Sequence, residues 1–206
     1  MSGKAEDRSS KKKKEKRQLI LEAAVQEFAR KGYHNTRMEE IAQTAGIGKG
    51  TIYEYFESKL KLFQAMMEDS LKAYFISLEE KGQKPVTMEQ RLTKLVEAHI
   101  SFCQANKELT RVVFWDPEAF DSELRDWTVS IRAEKLQRTI DLLKEGIDRG
   151  EVRSDLDIRI MSEIVLHTLG AFWYPLIVEG WNVDPGVIAR QYTEIIMNGI
   201  KNNTGN

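Results

Sequence analysis

Few residues in this chain could do covalent or metal chemistry. His34, His99 and His167 are its histidines, and Cys103 is its single cysteine. Cys103 follows His99 by four positions, one helical turn, so a thiol–imidazole contact is geometrically open. Glu163 and His167 share that spacing and could meet at a metal, but two ligands fall short of the four that a closed zinc site uses. No phosphate-cradling loop of the type G-x-x-x-x-G-K-S/T or G-x-G-x-x-G occurs. The expectation is no catalytic residue, no metal and no cofactor, with His99 and Cys103 read as buried members of an apolar helix stripe or as pocket wall. One cysteine also excludes an internal disulfide and suits a reducing cytoplasm.

A different chemistry, contact with a polyanion, is written into residues 36–56, TRMEEIAQTAGIGKGTIYEYF. Thr36 and Glu39 have capping-box spacing and predict the start of a short helix. Ile41, Ala42 and Ala45 give that helix a small apolar face, and Gly46 follows where a tight turn needs positive φ. A second short helix then points Ile52 and Phe56 inward. A small residue at the crossing, a glycine turn and an apolar anchor are the requirements of a helix-turn-helix. The outward face of the second helix carries Lys49, Thr51, Tyr53 and Tyr55, types that reach phosphates or base edges. The same spacing also allows an ordinary pair of packed helices.

These residues must be positioned by helices. The 206 residues are 41 % hydrophobic and 31 % charged, a globular composition long enough to bury a core. Apolar stripes at helical period recur, as in Ile20, Ala24 and Phe28; Leu60, Phe63 and Met67; Leu92, Val96 and His99; Leu136, Ile140 and Leu143; Met161, Val165 and Leu169; and Ile188, Tyr192 and Ile195. Asp116-Pro117 and Asp184-Pro185 read as N-cap followed by first helical residue, Pro85 precedes a capping box from Thr87 to Gln90, and Pro175 should kink or end its helix. The only strand-like run, Val112 to Trp115, is too short to found a sheet. The fold class predicted is all-α, with about nine helices. No apolar run approaches the roughly 18 residues of a membrane span. The N-terminus does not read as a signal peptide, because Glu22 and Glu27 interrupt the stretch after the Lys run.

Charge is unevenly placed. Residues 1–62 carry 14 Lys and Arg against 9 Asp and Glu, a net of +5, while residues 63–206 carry 17 against 23, a net of −6. A basic N-terminal third on an acidic body suggests that one end meets a polyanion. Residues 1–13 are polar without apolar period and read as a disordered basic tail. The run Lys11 to Lys14 with Lys16 and Arg17 is either an arm touching phosphates or a solvated tail.

Residues 14–66 closely resemble the N-terminal domain of the TetR family of bacterial transcriptional regulators. The resemblance rests on Arg17, Ile20, Leu21, Ala23, Ala24, Phe28 and Gly32, then Thr36, Ile41, Ala42, Ala45 and Gly46, then Lys49, Gly50, Thr51, Tyr53, Tyr55, Phe56, Ser58 and Lys59. It implies a three-helix helix-turn-helix DNA-binding domain over residues 14–66 and a larger helical ligand-binding and dimerisation domain over residues 67–206. The DNA side would be Thr36, Arg37, Lys49, Gly50, Thr51, Tyr53, Tyr55 and Lys59. Thr36 would present its hydroxyl to a phosphate, and Tyr53 and Lys59 would grip the backbone. Gly48 stands where Ser or Thr commonly caps the recognition helix, and Leu60-Lys61 replaces a usual acidic pair.

The resemblance further implies a homodimer that binds a palindromic double-stranded operator, most often as a cytoplasmic repressor. A small apolar or amphipathic effector would release it. His99, Phe102, Cys103, Phe114, Trp115, Phe120, Trp127, Phe172 and Trp173 supply aromatic and soft groups for such a pocket, although any one of them at helical spacing also reads as plain core. Scattered positions from Gly146 to Asp157 and from Asn198 to Ile200 resemble the fatty-acid-degradation repressors of the family, which answer to long-chain acyl-CoA. The alternative is an effector-independent architectural DNA-binding protein, which would want a broad basic surface where this body is acidic.

Overall fold

The computed structural model describes residues 3–82, 87–115 and 122–201. Among the described residues there are nine α-helices and no strand, as the periodicity predicts. They fall into two compact units. One comprises Met1–Lys72 with Glu108–Glu123, the other Ala73–Lys107 with Leu124–Asn206.

The first unit begins with α1 (Gly3–Asn35), which breaks at Gly32, where φ of 76° turns the chain. Its helical course from Gly3 corrects the expectation of a disordered tail over residues 1–13. Lys, Arg, Glu and Gln are good helix formers, and neither proline nor an internal glycine interrupts the run before Gly32. Two short helices follow, α2 (Met38–Thr44) and α3 (Lys49–Tyr55), then α4 (Lys59–Gly82). Ser58 caps α4, its Oγ accepting from the Lys61 N–H at 3.2 Å.

The capping box of α2 sits one residue later than the sequence spacing suggests. The N-cap is Arg37, whose N–H donates to Glu40 Oε2 at 3.0 Å, because Thr36 is drawn into the interior. At the other end of α2, Gly46 has φ of 67°. Its N–H reaches Gln43 O at 3.1 Å and that of Ile47 reaches Ala42 O at 2.9 Å, the paired bonds of a Schellman turn.

Aromatic rings fill the middle of this unit. Phe63 meets Phe28 edge-on at 5.2 Å and Tyr33 at 5.0 Å. Each such pair contributes about 0.5–1.5 kcal/mol beyond its burial. A buried carboxylate ties α1 to α2: Glu27 accepts from Thr44 Oγ1 at 2.8 Å and from Arg30 at 2.5 Å, with Lys31 at 3.7 Å. Burial pushes its pKa up, but the hydrogen bonds from Thr44 and Arg30 and the charges of Arg30 and Lys31 outweigh that and hold it below the usual carboxylate range. The strand-like run Val112 to Trp115 is helical, within α6 (Lys107–Trp115).

The second unit holds the rest of α4 with α5 (Met88–Ala105), α7 (Ser122–Asp148), α8 (Ile158–Gly170) and α9 (Pro185–Ile200). α5 packs along α9, and Met88, Leu92, Val96, Val165, Ile188 and Tyr192 are among the residues of its core. The predicted caps form where they can be seen. Thr87 Oγ1 accepts from the Gln90 N–H at 3.2 Å, and Asp184 Oδ1 from the Val187 N–H at 3.0 Å with Pro185 as first helical residue. Pro85 and Asp116-Pro117 lie outside the described residues. α8 ends at Gly170, and Pro175 enters a π-helical turn, Tyr174–Val178, as a residue lacking the N–H that an α-helix would use.

One sequence expectation is corrected here. The continuous helical stretch Ile158–Val178 does reach a mean hydropathy of 1.3 over 18 residues, with only 28 % of that window buried. Its unburied apolar side chains are clustered: Ile160 is 62 % exposed and Ile164 52 %, and on α9 Ile195 is 73 % exposed.

Candidate nucleic-acid interface and effector-side cluster

α3 presents the predicted reading face. Ile52 is fully buried, while Lys49, Gly50 and Tyr53 face outward and Thr51 and Tyr55 are half-buried. Tyr53 is 44 % exposed, an unusual openness for a large aromatic side chain on a two-turn helix. No side chain caps α3, because the N-cap is Gly48, so its first N–H groups are left for solvent or an anion. A Cβ on Gly50 would meet nothing within 4 Å, which leaves the backbone open to close approach. Arg37 is exposed at the start of α2.

Lys49 pairs with Glu39 of α2, Nζ to Oε1 at 2.8 Å. That hydrogen bond and charge raise the lysine pKa and lower the carboxylate's. Glu39 was legible only as a capping residue; its role as a tether for Lys49 depends on how α2 crosses α3, which spacing does not give.

Two predicted DNA contacts are corrected. Thr36 is 1 % exposed, and its hydroxyl donates inward to Gly32 O at 2.7 Å, with Glu27 O at 3.2 Å. It closes the α1–α2 corner and offers no hydroxyl to a phosphate. Lys59 turns back as well: its Nζ donates to Tyr33 O at 2.7 Å and His34 O at 3.1 Å, and lies 4.5 Å from the Tyr33 ring centre. These carbonyls follow the Gly32 break, where the chain leaves the helix and needs donors from elsewhere. His34 stays exposed, with its ring edge-on to Tyr33.

In the second unit, His99, Phe102 and Cys103 come together around a residue the sequence did not single out, Tyr74 of α4. Tyr74 Oη lies 2.9 Å from His99 Nδ1, and Cys103 Sγ lies 3.7 Å from His99 Nε2. Phe102 packs edge-on against Tyr74 at 5.3 Å. Burial, with the charge of Lys135, pushes the His99 pKa down to about 4, and burial pushes that of Tyr74 up. Both groups are neutral near pH 7, so the tyrosine O–H donates to Nδ1 and the imidazole carries its proton on Nε2, facing the thiol. Burial also lowers the Lys135 pKa, against the charges of Cys103 and Glu134. No single-sequence signal links Tyr74 or Lys135 to His99, since they sit on three different helices.

The other predicted effector residues are dispersed. Phe172 packs on Tyr192 at 6.1 Å beside the core, Trp173 packs on Tyr174 at 5.5 Å, and Trp127 is half-buried on α7. The side chains of Phe114 and Trp115, and all of Phe120, lie outside the described residues. Glu163 is engaged by Arg132 at 2.9 Å and His167 at 3.3 Å, and no cluster of three metal-ligating side chains occurs among the described residues.

A short glycine-turned helix pair with an exposed second helix, followed by a helical body, defines a helix-turn-helix regulator. Residues 20–66 match the family described as bacterial regulatory proteins, tetR family, and residues 85–200 match the tetracyclin repressor-like C-terminal domain. The chain belongs to the TetR family. It is 26 % identical over 192 residues to the fatty acid metabolism regulator protein of Bacillus subtilis, covering 93 % of this chain and 99 % of that one. It is 27 % identical over 195 residues to the HTH-type transcriptional repressor KstR2 of Mycolicibacterium smegmatis, covering 92 % and 93 %. The structure of FadR from Bacillus subtilis in complex with stearoyl-CoA superposes with a TM-score of 0.80 at 25 % identity, over 89 % of this chain and 98 % of that one.

The buried His99 generates a pH dependence. Its pKa is depressed in the fold, so between about pH 6.5 and 4 the unfolded chain takes up a proton that the folded chain refuses. Stability is full above pH 6.5 and falls by about 1.4 kcal/mol per pH unit through that window. Urea unfolding of wild type and His99→Gln at pH 7 and pH 5 should show a smaller loss on acidification in the variant. Equal losses would contradict a neutral buried imidazole.

Proposed function

We propose that this protein is a ligand-responsive transcriptional repressor that binds a palindromic operator as a homodimer. A small amphipathic effector, a long-chain acyl-CoA, releases it. The observation behind the DNA half is α3, with Lys49, Gly50, Thr51 and Tyr53 turned outward from a buried Ile52. A two-fold dimer would set its recognition helices about one turn of DNA apart, roughly 34–36 Å. Nothing in this reading needs catalysis, and the cytoplasm, where DNA and acyl-CoA meet, is its setting.

The effector assignment draws on the stearoyl-CoA complex of the Bacillus subtilis relative and on the aromatic supply around Tyr74, Phe102 and His99. Linkage makes the account quantitative: if acyl-CoA weakens DNA binding by some factor, DNA weakens acyl-CoA binding by the same factor. Fluorescence anisotropy of the gene's upstream DNA, titrated with protein and then with stearoyl-CoA, tests this. Release at micromolar acyl-CoA is expected. Binding without release would favour an architectural protein or another effector.

The dimer accounts for the apolar stripe that the monomer leaves uncovered. Ile160 and Ile164 are one turn apart on α8, and Ile195 stands on α9, both in the same unit. Paired two-fold, two helices from each subunit make a four-helix interface, the arrangement the family resemblance implies. The same stripe explains the high hydropathy of Ile158–Val178 without a lipid phase, since Glu163, engaged by Arg132, sits in its midst. Ile164→Asp should shift sedimentation from dimer to monomer and lower operator affinity at least tenfold. A variant that stays dimeric would place the interface elsewhere.

A further inference from the structure

The N-terminal half of α1 has no role in the helix-turn-helix described above, yet it is the most basic stretch of the chain. It is built into the first unit rather than trailing from it. Arg17 is held by Asp69 of α4 at 2.7 Å and lies 5.6 Å from the centre of the Phe56 ring, and Ile20 and Leu21 are buried. At 1.5 Å per residue, Lys12 stands about 12 Å ahead of Ile20 on the same helix.

Between this extension and the end of α3 runs a groove of about 520 Å³. Ser9, Lys12, Lys13, Lys16 and Leu19 form its α1 wall, and Tyr55 its α3 wall, with Glu15 and Glu54 also bordering it. Positions 9, 12, 13, 16 and 19 fall on one helical face. Among the described residues none of the three lysines is ion-paired, and all are exposed.

We propose that this groove is a second DNA contact: Lys12, Lys13 and Lys16 grip phosphates of the operator strand that borders the major groove occupied by α3. The inference rests on the DNA-binding reading of α3 given above. Tyr55 makes the two sites continuous, because it belongs to α3 and lines the groove. The B-DNA major groove is only about 12 Å wide, so a helix seated in it has a phosphate strand within a lysine's length on each side. Three ammonium groups outnumber the two carboxylates, and Glu15 and Glu54 keep the groove from being a general polyanion sink. The helical form matters too. Like charges one turn apart destabilise an isolated helix, and fusing the run to α1 holds the lysines in register where a free tail would scatter them.

The test compares wild type with Lys12→Gln/Lys13→Gln/Lys16→Gln and with a control of equal charge change, Lys72→Gln/Lys107→Gln/Lys144→Gln, on upstream DNA across 50–200 mM salt. Three lost phosphate contacts should reduce the log–log salt slope by about 2.7, so that the groove variant loses about 40-fold less affinity than wild type over that range. Hydroxyl-radical footprints should lose protection at a set of phosphates while guanine N7 protection persists. The control should keep the wild-type slope. An unchanged slope in the groove variant overturns the proposal, and so does an equal change in the control, which would show only a net-charge effect. If wild type itself retains no DNA, the reading of α3 fails, and this inference with it.

Discussion

A seven-residue helix cannot hold its own shape in water, since nucleating two turns costs more than their hydrogen bonds return. α3 is such a helix, and its position depends on burying Ile52 and Phe56 and on the left-handed turn at Gly46. The residues on its outer face are placed by what lies beneath it. A Cβ at Gly46 would meet no atom, so glycine is needed there for its backbone angle alone.

Around that core the polar side chains divide into those used for the fold and those left for a partner. Glu27, Thr36, Thr44 and Lys59 are drawn inward, each satisfying backbone or charge at the α1–α2 corner. Lys49 lies between the two groups, exposed but tethered to Glu39. An exposed pair of this kind contributes little to stability, so Lys49 can exchange Glu39 for a phosphate at small cost. In the second unit the Tyr74–His99–Cys103 row is neutral and directional, which lets a polar line cross an apolar interior.

The helices and the helix-turn-helix were legible because periodicity, caps and a glycine turn are local signals. Asp184-Pro185 and Thr87 formed the predicted caps, and Gly46 took the predicted positive φ. The errors came from tertiary competition. Thr36 had the spacing of a cap, but an interior position with two carbonyl acceptors took it. Lys59 was matched to a phosphate position, and the carbonyls freed by the Gly32 break claimed its amine. The N-terminal run lacked any apolar period and so read as tail, whereas continuity with a buried helix makes it α1. Tyr74 and Lys135 were invisible as partners of His99 because three helices had to be placed first.

Tyr53→Ala tests the central claim, that α3 reads DNA from a scaffold that does not need its outer face. Operator affinity by anisotropy should fall at least a hundredfold, while sedimentation and the unfolding midpoint stay at wild-type values. Unchanged affinity would contradict the assignment of the reading face. Loss of the dimer or of the fold alongside DNA binding would mean that α2 and α3 are a structural hairpin.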